Sequence, residues 1–176
     1  QKTSVKSIVR FGKIFNNLEF KNILKKKIIR ELGPEYENYF ITSKPYLLLH
    51  LPNDKLEKGR FHTDVAKNTG ISMTCWMPIN NYIISYNPIT LYLNSQNKFD
   101  QILLKIFSKI SNDLYGMYAN IFKKKILVNA APFDIYFWQD KTVHRGNFNN
   151  TDKKHSTLTF KITEKPNPFE SSEKIS

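Results

Sequence analysis

His62 and Asp64, two residues apart, and the distant His144 constrain this chain more than any other feature of its 176 residues. Two imidazoles and one carboxylate are the donor set that occupies one face of an octahedral iron(II) ion and leaves the opposite face open. For such a group to assemble, a segment near residue 62 and another near residue 144 must lie side by side. Side chains alternate along a strand, so residues 60–64 as a strand would put Arg60, His62 and Asp64 on one face. His144 then has to come from a neighbouring strand.

The surroundings of His144 agree with that arrangement. The apolar run Ile135-Tyr136-Phe137-Trp138 reads as a buried strand ending in a turn shortly before His144. Farther on, Lys154 and Ser156 share strand parity with Leu158, Phe160 and Ile162. A cation and a hydroxyl pointing together from the start of a half-buried strand suit the far carboxylate of a dicarboxylic keto acid whose other end chelates a metal. Ser72, Thr74 and Trp76 share a face, so Thr74 and Trp76 are expected to line the keto-acid pocket, with core packing an equal reading for Trp76. Cys75 points the other way and is expected to be an inert core residue. The two remaining histidines have structural readings. His50, within Tyr46-Leu47-Leu48-Leu49-His50-Leu51, is expected to be a hydrogen-bonded strand histidine, and His155, which alternates away from Lys154 and Ser156, is expected to face solvent.

From about Tyr46 to Ile162 the chain resembles the iron(II)/2-oxoglutarate-dependent oxygenases, and among them the branch similar to phytanoyl-CoA dioxygenase and the small oxygenases of carbohydrate and antibiotic pathways. The likeness is carried by Phe61-His62-Thr63-Asp64, by the strand Ser72–Ile79 in the place of that branch's Trp-x-Pro strand, by Pro132–Phe137 before the distal histidine, and by Lys154-His155-Ser156. Two positions depart from it. Lys154 stands where the branch has arginine, and Leu91–Gln96 replaces a glycine-rich segment ending in Ser-His. The resemblance implies a mainly β fold with flanking helices, the cupin-like double-stranded β-helix or jelly roll. It also implies catalytic iron(II) on His62, Asp64 and His144, with 2-oxoglutarate as co-substrate anchored by Lys154 and Ser156. The reaction it implies uses O2 to oxidise a small molecule, in the simplest case by hydroxylation, with release of succinate and carbon dioxide. Arg60 is the expected grip on a substrate anion, with Tyr46 and Asn147 as further pocket residues. Asp64 argues against a halogenase, which needs that coordination position for halide.

Charge bears on the choice of partner. A net charge of +12, with clusters at Lys25–Lys27, Lys123–Lys125 and Lys153–Lys154, invites a nucleic-acid reading. Against it, only four of the 27 cations are arginine, whose planar fork reads phosphate and guanine bidentately. No helix-turn-helix, zinc-finger or aromatic ribonucleoprotein motif is visible, so nucleic acid is disfavoured, and an anionic small molecule would use the same field. The alternatives carried forward are a non-catalytic jelly-roll binding protein and, behind it, a basic domain associated with nucleic acid. A single cysteine excludes an internal disulfide and fits a reducing, cytoplasmic setting. No secretory signal is visible, and no apolar run approaches the roughly 18 residues of a membrane span.

The length and an apolar fraction of 40% suit one domain, with its core at about 46–162. The spacing of Leu18, Ile23, Leu24, Ile28 and Leu32 predicts an amphipathic helix over 17–32, stopped by Gly33-Pro34. A second helical pattern runs from Ile102 to Ile121, with a break expected near Gly116 and its apolar stripe assigned to core packing. Strands are expected at 46–51, 60–64, 72–79, 89–93, 126–128, 135–138, 142–145 and 156–162, a set that fits a jelly roll. Residues 166–176 are expected to form an exposed tail.

Overall fold

The computed structural model describes residues 9–10, 18–42, 45–52, 59–65, 69–80, 89–111, 113–129, 131–166, 168 and 172–175. It is a jelly roll of two facing sheets with helices on both outer sides. The first sheet is built around the longest strand, β9 (His155–Thr163), which pairs antiparallel with β4 (Ser72–Pro78) along one edge. Along its other edge lie β3 (Tyr46–His50) and β2 (Phe40–Thr42). β7 (Tyr136–Gln139) extends the sheet beyond β4, β1 (Val9–Arg10) beyond β3, and β10 (Ser172–Lys174) beyond β2. The second sheet runs β6 (Lys125–Leu127), β5 (Ile89–Tyr92), β8 (His144–Gly146), and His62 adds a single bridge to His144.

Alternation sorts the residues of the first sheet onto two faces with different chemistry. Met73, Cys75 and Met77 of β4 and Leu158, Phe160 and Ile162 of β9 form an apolar outer face. Helix α1 (Leu18–Leu32) covers it with Leu24 and Ile28, one turn apart and both buried. Each such fully buried side chain contributes roughly 1.5–3 kcal/mol. Gly33, at φ +120°, ends α1 in a backbone conformation that side chains rarely adopt. The inner face carries Ser72, Thr74 and Trp76 from β4 and Thr157, Thr159 and Lys161 from β9, in register across the sheet. Trp76 and Trp138 meet Ile89, Leu91 and Val128 of the second sheet to close one end of the space between the sheets.

Four expectations need correction. Residues 60–64 form no regular strand: His62 makes an isolated bridge, and Asp64 N–H donates to Asp140 O at 2.9 Å. The supposed tail is structural, because β10 pairs with β2 and Ile175 is 2% exposed in the outer-face core. The second helical pattern breaks before Gly116 rather than at it, giving α2 (Lys98–Ile110) and α3 (Leu114–Phe122). Ser111 stops α2 in extended conformation while its Oγ accepts from Asp113 N–H, so a hydroxyl turn interrupts the helix. The apolar stripe of that pattern is also not all core, since Ile102, Ile106, Ile110, Met117 and Ile121 are about half or more exposed.

Gly116 instead serves packing. It lies buried in α3 where an added Cβ would come within 2.6 Å of the Phe61 ring. Phe61 is held in turn by Tyr92 and Tyr115, at centroid distances of 5.5 and 6.0 Å, and by Arg145 stacked 4.3 Å above it. The ring pins the segment that begins His62-Thr63-Asp64. Gly116→Val is expected to lower stability by about 1–3 kcal/mol through overpacking, read as a shift of the urea midpoint.

Candidate metal centre

His62, Asp64 and His144 come together at the edge of the second sheet, with one donor atom from each within 4.8 Å of the others. The backbone sets this up. His62 N–H donates to His144 O at 2.9 Å and His144 N–H returns the bond to His62 O at 3.0 Å. The imidazoles are therefore cross-strand neighbours, their centroids 4.3 Å apart. Each ring is also held in one orientation. His62 Nδ1 lies 2.7 Å from Arg60 O and His144 Nδ1 lies 3.0 Å from Thr142 O. A carbonyl only accepts, so both Nδ1 atoms carry a proton, and Nε2 is the atom of each ring whose lone pair is left for a metal.

Both Nε2 atoms face Asp64, at 3.6 Å from Oδ1 for His62 and 3.2 Å from Oδ2 for His144. Adjacent donors each about 2.1 Å from an octahedral ion stand about 3 Å apart, so this spacing suits one small divalent cation. Burial pushes the Asp64 carboxyl pKa up, but the hydrogen bond and charge of a protonated His144, the Thr74 hydroxyl and the charge of a protonated His62 outweigh it, and a bound cation would take the place of the two Nε2 protons. The result lies well below the usual carboxylate range, and Asp64 is an anion at any physiological pH.

A polar network stands behind Asp64. Thr74 Oγ1 lies 2.9 Å from Asp64 Oδ2 and 2.8 Å from Asp140 Oδ1. One hydroxyl proton serves one of these carboxylates at a time. Asp140, almost fully buried, also accepts from Ser72 Oγ and pairs with Lys161 Nζ at 3.2 Å. Lys161 Nζ donates in addition to Asp64 O. The carboxylate is thus held through its side chain by Thr74 and through its main chain by Lys161 and Asp140. Asp140, Lys161 and Ser72 were not singled out from the sequence as site residues. The available signal was the inner parity of Lys161, a cation between Phe160 and Ile162 on an otherwise threonine-bearing face.

The remaining expected site residues divide by sheet face. Thr74 reaches the centre, and Trp76 lies beside it in the packed layer between the sheets. Tyr46 pairs in register with inward-facing Thr159, at the far edge of the same face, and is 36% exposed. Arg60 is exposed and offers its carbonyl to His62. Lys154 and Ser156 lie on the opposite face of β9 from Thr157, Thr159 and Lys161. Their parity is that of Leu158, Phe160 and Ile162, the face packed on α1, and Lys154 is exposed. Asn147 exchanges hydrogen bonds with Thr90, whose neighbours Ile89 and Leu91 face the first sheet, so it sits on the side away from His144. His155, expected at the surface, is fully buried with its Nε2 2.9 Å from Thr151 Oγ1. The alternation expected in β9 is present, but Leu158, Phe160 and Ile162 face α1 and their alternates face inward. Two buried donors on the inner face, Trp138 Nε1 and Thr159 Oγ1, have no hydrogen-bond partner among the described residues. The Trp138 ring packs 5.2 Å from the His144 ring, centroid to centroid.

No family model matches the chain, and no curated protein does. Solved structures match at low identity. The epimerase SnoN, in complex with Fe3+, alpha-ketoglutarate and nogalamycin RO, is 14% identical with a TM-score of 0.60 over 93% of this chain and 69% of that one. The non-heme alpha-ketoglutarate-dependent carbocyclase SnoK from nogalamycin biosynthesis is 12% identical with a TM-score of 0.58, covering 83% and 58%. AviO1 from Streptomyces viridochromogenes Tue57 is 12% identical with a TM-score of 0.58, covering 90% and 62%. The chain thus spans less than two thirds of SnoK and AviO1. At these identities the likeness establishes the fold.

Because Lys161 secures both the main chain of Asp64 and its neighbour Asp140, Lys161→Met is expected to weaken divalent-metal binding by about 10- to 100-fold while leaving the fold in place. Isothermal titration with cobalt(II) would measure it, and unchanged affinity would remove Lys161 from the centre's support.

Proposed function

We propose that the chain is a non-haem iron(II), 2-oxoglutarate-dependent oxygenase acting on a small molecule, with iron held by His62, Asp64 and His144. The observation that carries this reading is the state of the imidazoles: both Nδ1 atoms are committed to backbone carbonyls, and both Nε2 atoms converge on one ionised carboxylate. Bound there, iron(II) and 2-oxoglutarate would supply the oxidising chemistry, in which O2 and the keto acid become succinate and carbon dioxide as one oxygen atom enters a substrate C–H bond.

The protein's share is orientation and exclusion of water. The bridge between His62 and His144 and the Thr74 hydroxyl orient the donors from the protein side. Trp76, Trp138, Ile89 and Leu91 make the adjoining wall apolar. In this reading Trp138 Nε1 and Thr159 Oγ1 hold carboxylate oxygens of the keto acid, in place of Lys154 and Ser156. Arg60, exposed and adjoining the centre through its carbonyl bond to His62, meets the substrate, and its charge favours an anionic one. The finer assignment, to the phytanoyl-CoA dioxygenase-like branch, rests on the sequence motifs.

Two experiments test the reading. Anaerobic addition of iron(II) and then 2-oxoglutarate is expected to give the weak visible charge-transfer band of a chelated keto acid at one iron per chain. Asp64→Ala is expected to abolish both the band and succinate release while the circular-dichroism spectrum is kept, and stoichiometric iron binding that survives alanine at each of the three donors would reject the site. In the same titration Lys154→Ala should leave 2-oxoglutarate affinity within about twofold of the parent. Thr159→Val should weaken it by about 5- to 10-fold, the worth of one hydrogen bond. The reverse pattern would restore Lys154 as the anchor.

A further inference from the structure

Helices α2 and α3 bury only part of their apolar surface. On α2, Leu104 and the partly buried Leu103 and Phe107 pack into the cluster with Phe61 and Tyr92 on the outer side of the second sheet. Phe99, Ile102, Ile106 and Ile110 repeat at three- and four-residue steps along another side and are 62%, 52%, 48% and 72% exposed. On α3, Met117 and Ile121, one turn apart, are 63% and 75% exposed. Lys123, just past α3, reaches Asp100 in the first turn of α2 at 2.6 Å, and Phe107 meets Tyr118 at 6.2 Å. The helices therefore run antiparallel side by side, and their outward sides form one surface. Six large apolar side chains at this exposure present on the order of 600 Å², at the upper end of the largest patches found on monomeric proteins.

Charge decides what covers it. Lys98, Lys105 and Lys109 stand exposed along α2, and Lys124 and Lys125 follow α3. The acids of the hairpin are engaged: Asp100 is buried against Lys123, and Asp113 pairs with Arg145. The chain as a whole carries +12. A second copy of this face would bring lysines against lysines, whereas an anionic surface would neutralise them. The patch is formed by the outward sides of two antiparallel helices, a convex surface of the kind that suits a compliant layer.

We propose that the outer face of the α2–α3 hairpin binds anionic lipid bilayers peripherally. The aliphatic stripe enters the headgroup region, and the flanking lysines meet lipid anions. This attachment is independent of the metal centre, from which the hairpin is separated by the second sheet.

The test is sedimentation of the whole chain with vesicles of phosphatidylcholine alone and of phosphatidylcholine with about one third phosphatidylserine. Binding to the anionic vesicles is expected to be at least about 10-fold tighter and to weaken as salt is raised. Ile106→Asn combined with Ile110→Asn should cut it about 10-fold or more, as should Lys105→Gln combined with Lys109→Gln. Ile23→Asn, equally exposed on α1 at 59%, should leave it unchanged. Near-UV circular dichroism confirms that each variant is folded, and the lysine pair alters no apolar contact. Absent binding to anionic vesicles, or equal binding by all variants, overturns the proposal. So does a concentration-dependent dimer abolished by the isoleucine pair, which would assign the face to a second copy.

Discussion

The reciprocal backbone bridge between His62 and His144 is the interaction on which the candidate centre depends. It joins an irregular segment to the edge of a three-stranded sheet and fixes two imidazoles as neighbours before any metal is considered. The bridge is isolated, so its stability has to come from either side of it. On the outer side, Phe61 and Val143, each adjacent to a bridging histidine, are buried against Tyr92 and Tyr115. On the inner side, Asp64 is tied to Asp140, Thr74 and Lys161. Apolar packing sets the position of the backbone, and the polar network then sets the direction of the carboxylate.

The two sheets divide the remaining work. β9 and β4 present methionine, leucine, isoleucine and phenylalanine to α1, and threonine, serine and lysine to the interior. Buried hydroxyls and a charged amine are tolerable there because nearly all of them find acceptors in one another. The exceptions among the described residues, Trp138 Nε1 and Thr159 Oγ1, are the donors we propose for the keto acid.

The donors were legible in the sequence because histidine is scarce in this chain, and His62, Asp64 and His144 stand at a spacing that two neighbouring backbone segments can bring to one metal ion. Thr74 was legible from parity with Ser72. The failures have physical causes. Period-two alternation says which residues of β9 share a face but not which face meets the site, so by itself it does not choose between Lys154 with Ser156 and Lys161. The composition of the faces held the answer: Leu158, Phe160 and Ile162 are a helix-packing set, and the polar alternates had to face inward. Strand β10 escaped because three residues behind Pro166-Asn167-Pro168 and next to the end of the sequence look like a tail until Ile175 is seen in the core. The stripe of α2 and α3 shows the opposite limit. Helical periodicity marks an apolar side but does not say that the fold buries it.

Whether these three side chains hold one metal ion together is tested most directly by X-ray absorption at the iron edge of the anaerobically loaded protein, which does not depend on turnover. Five or six nitrogen and oxygen donors near roughly 2.1 Å are expected, with outer-shell scattering from two imidazoles. That scattering should fall to one imidazole in His62→Ala and in His144→Ala. A metal with no imidazole scattering, or one whose spectrum is unchanged in both variants, would contradict the shared site.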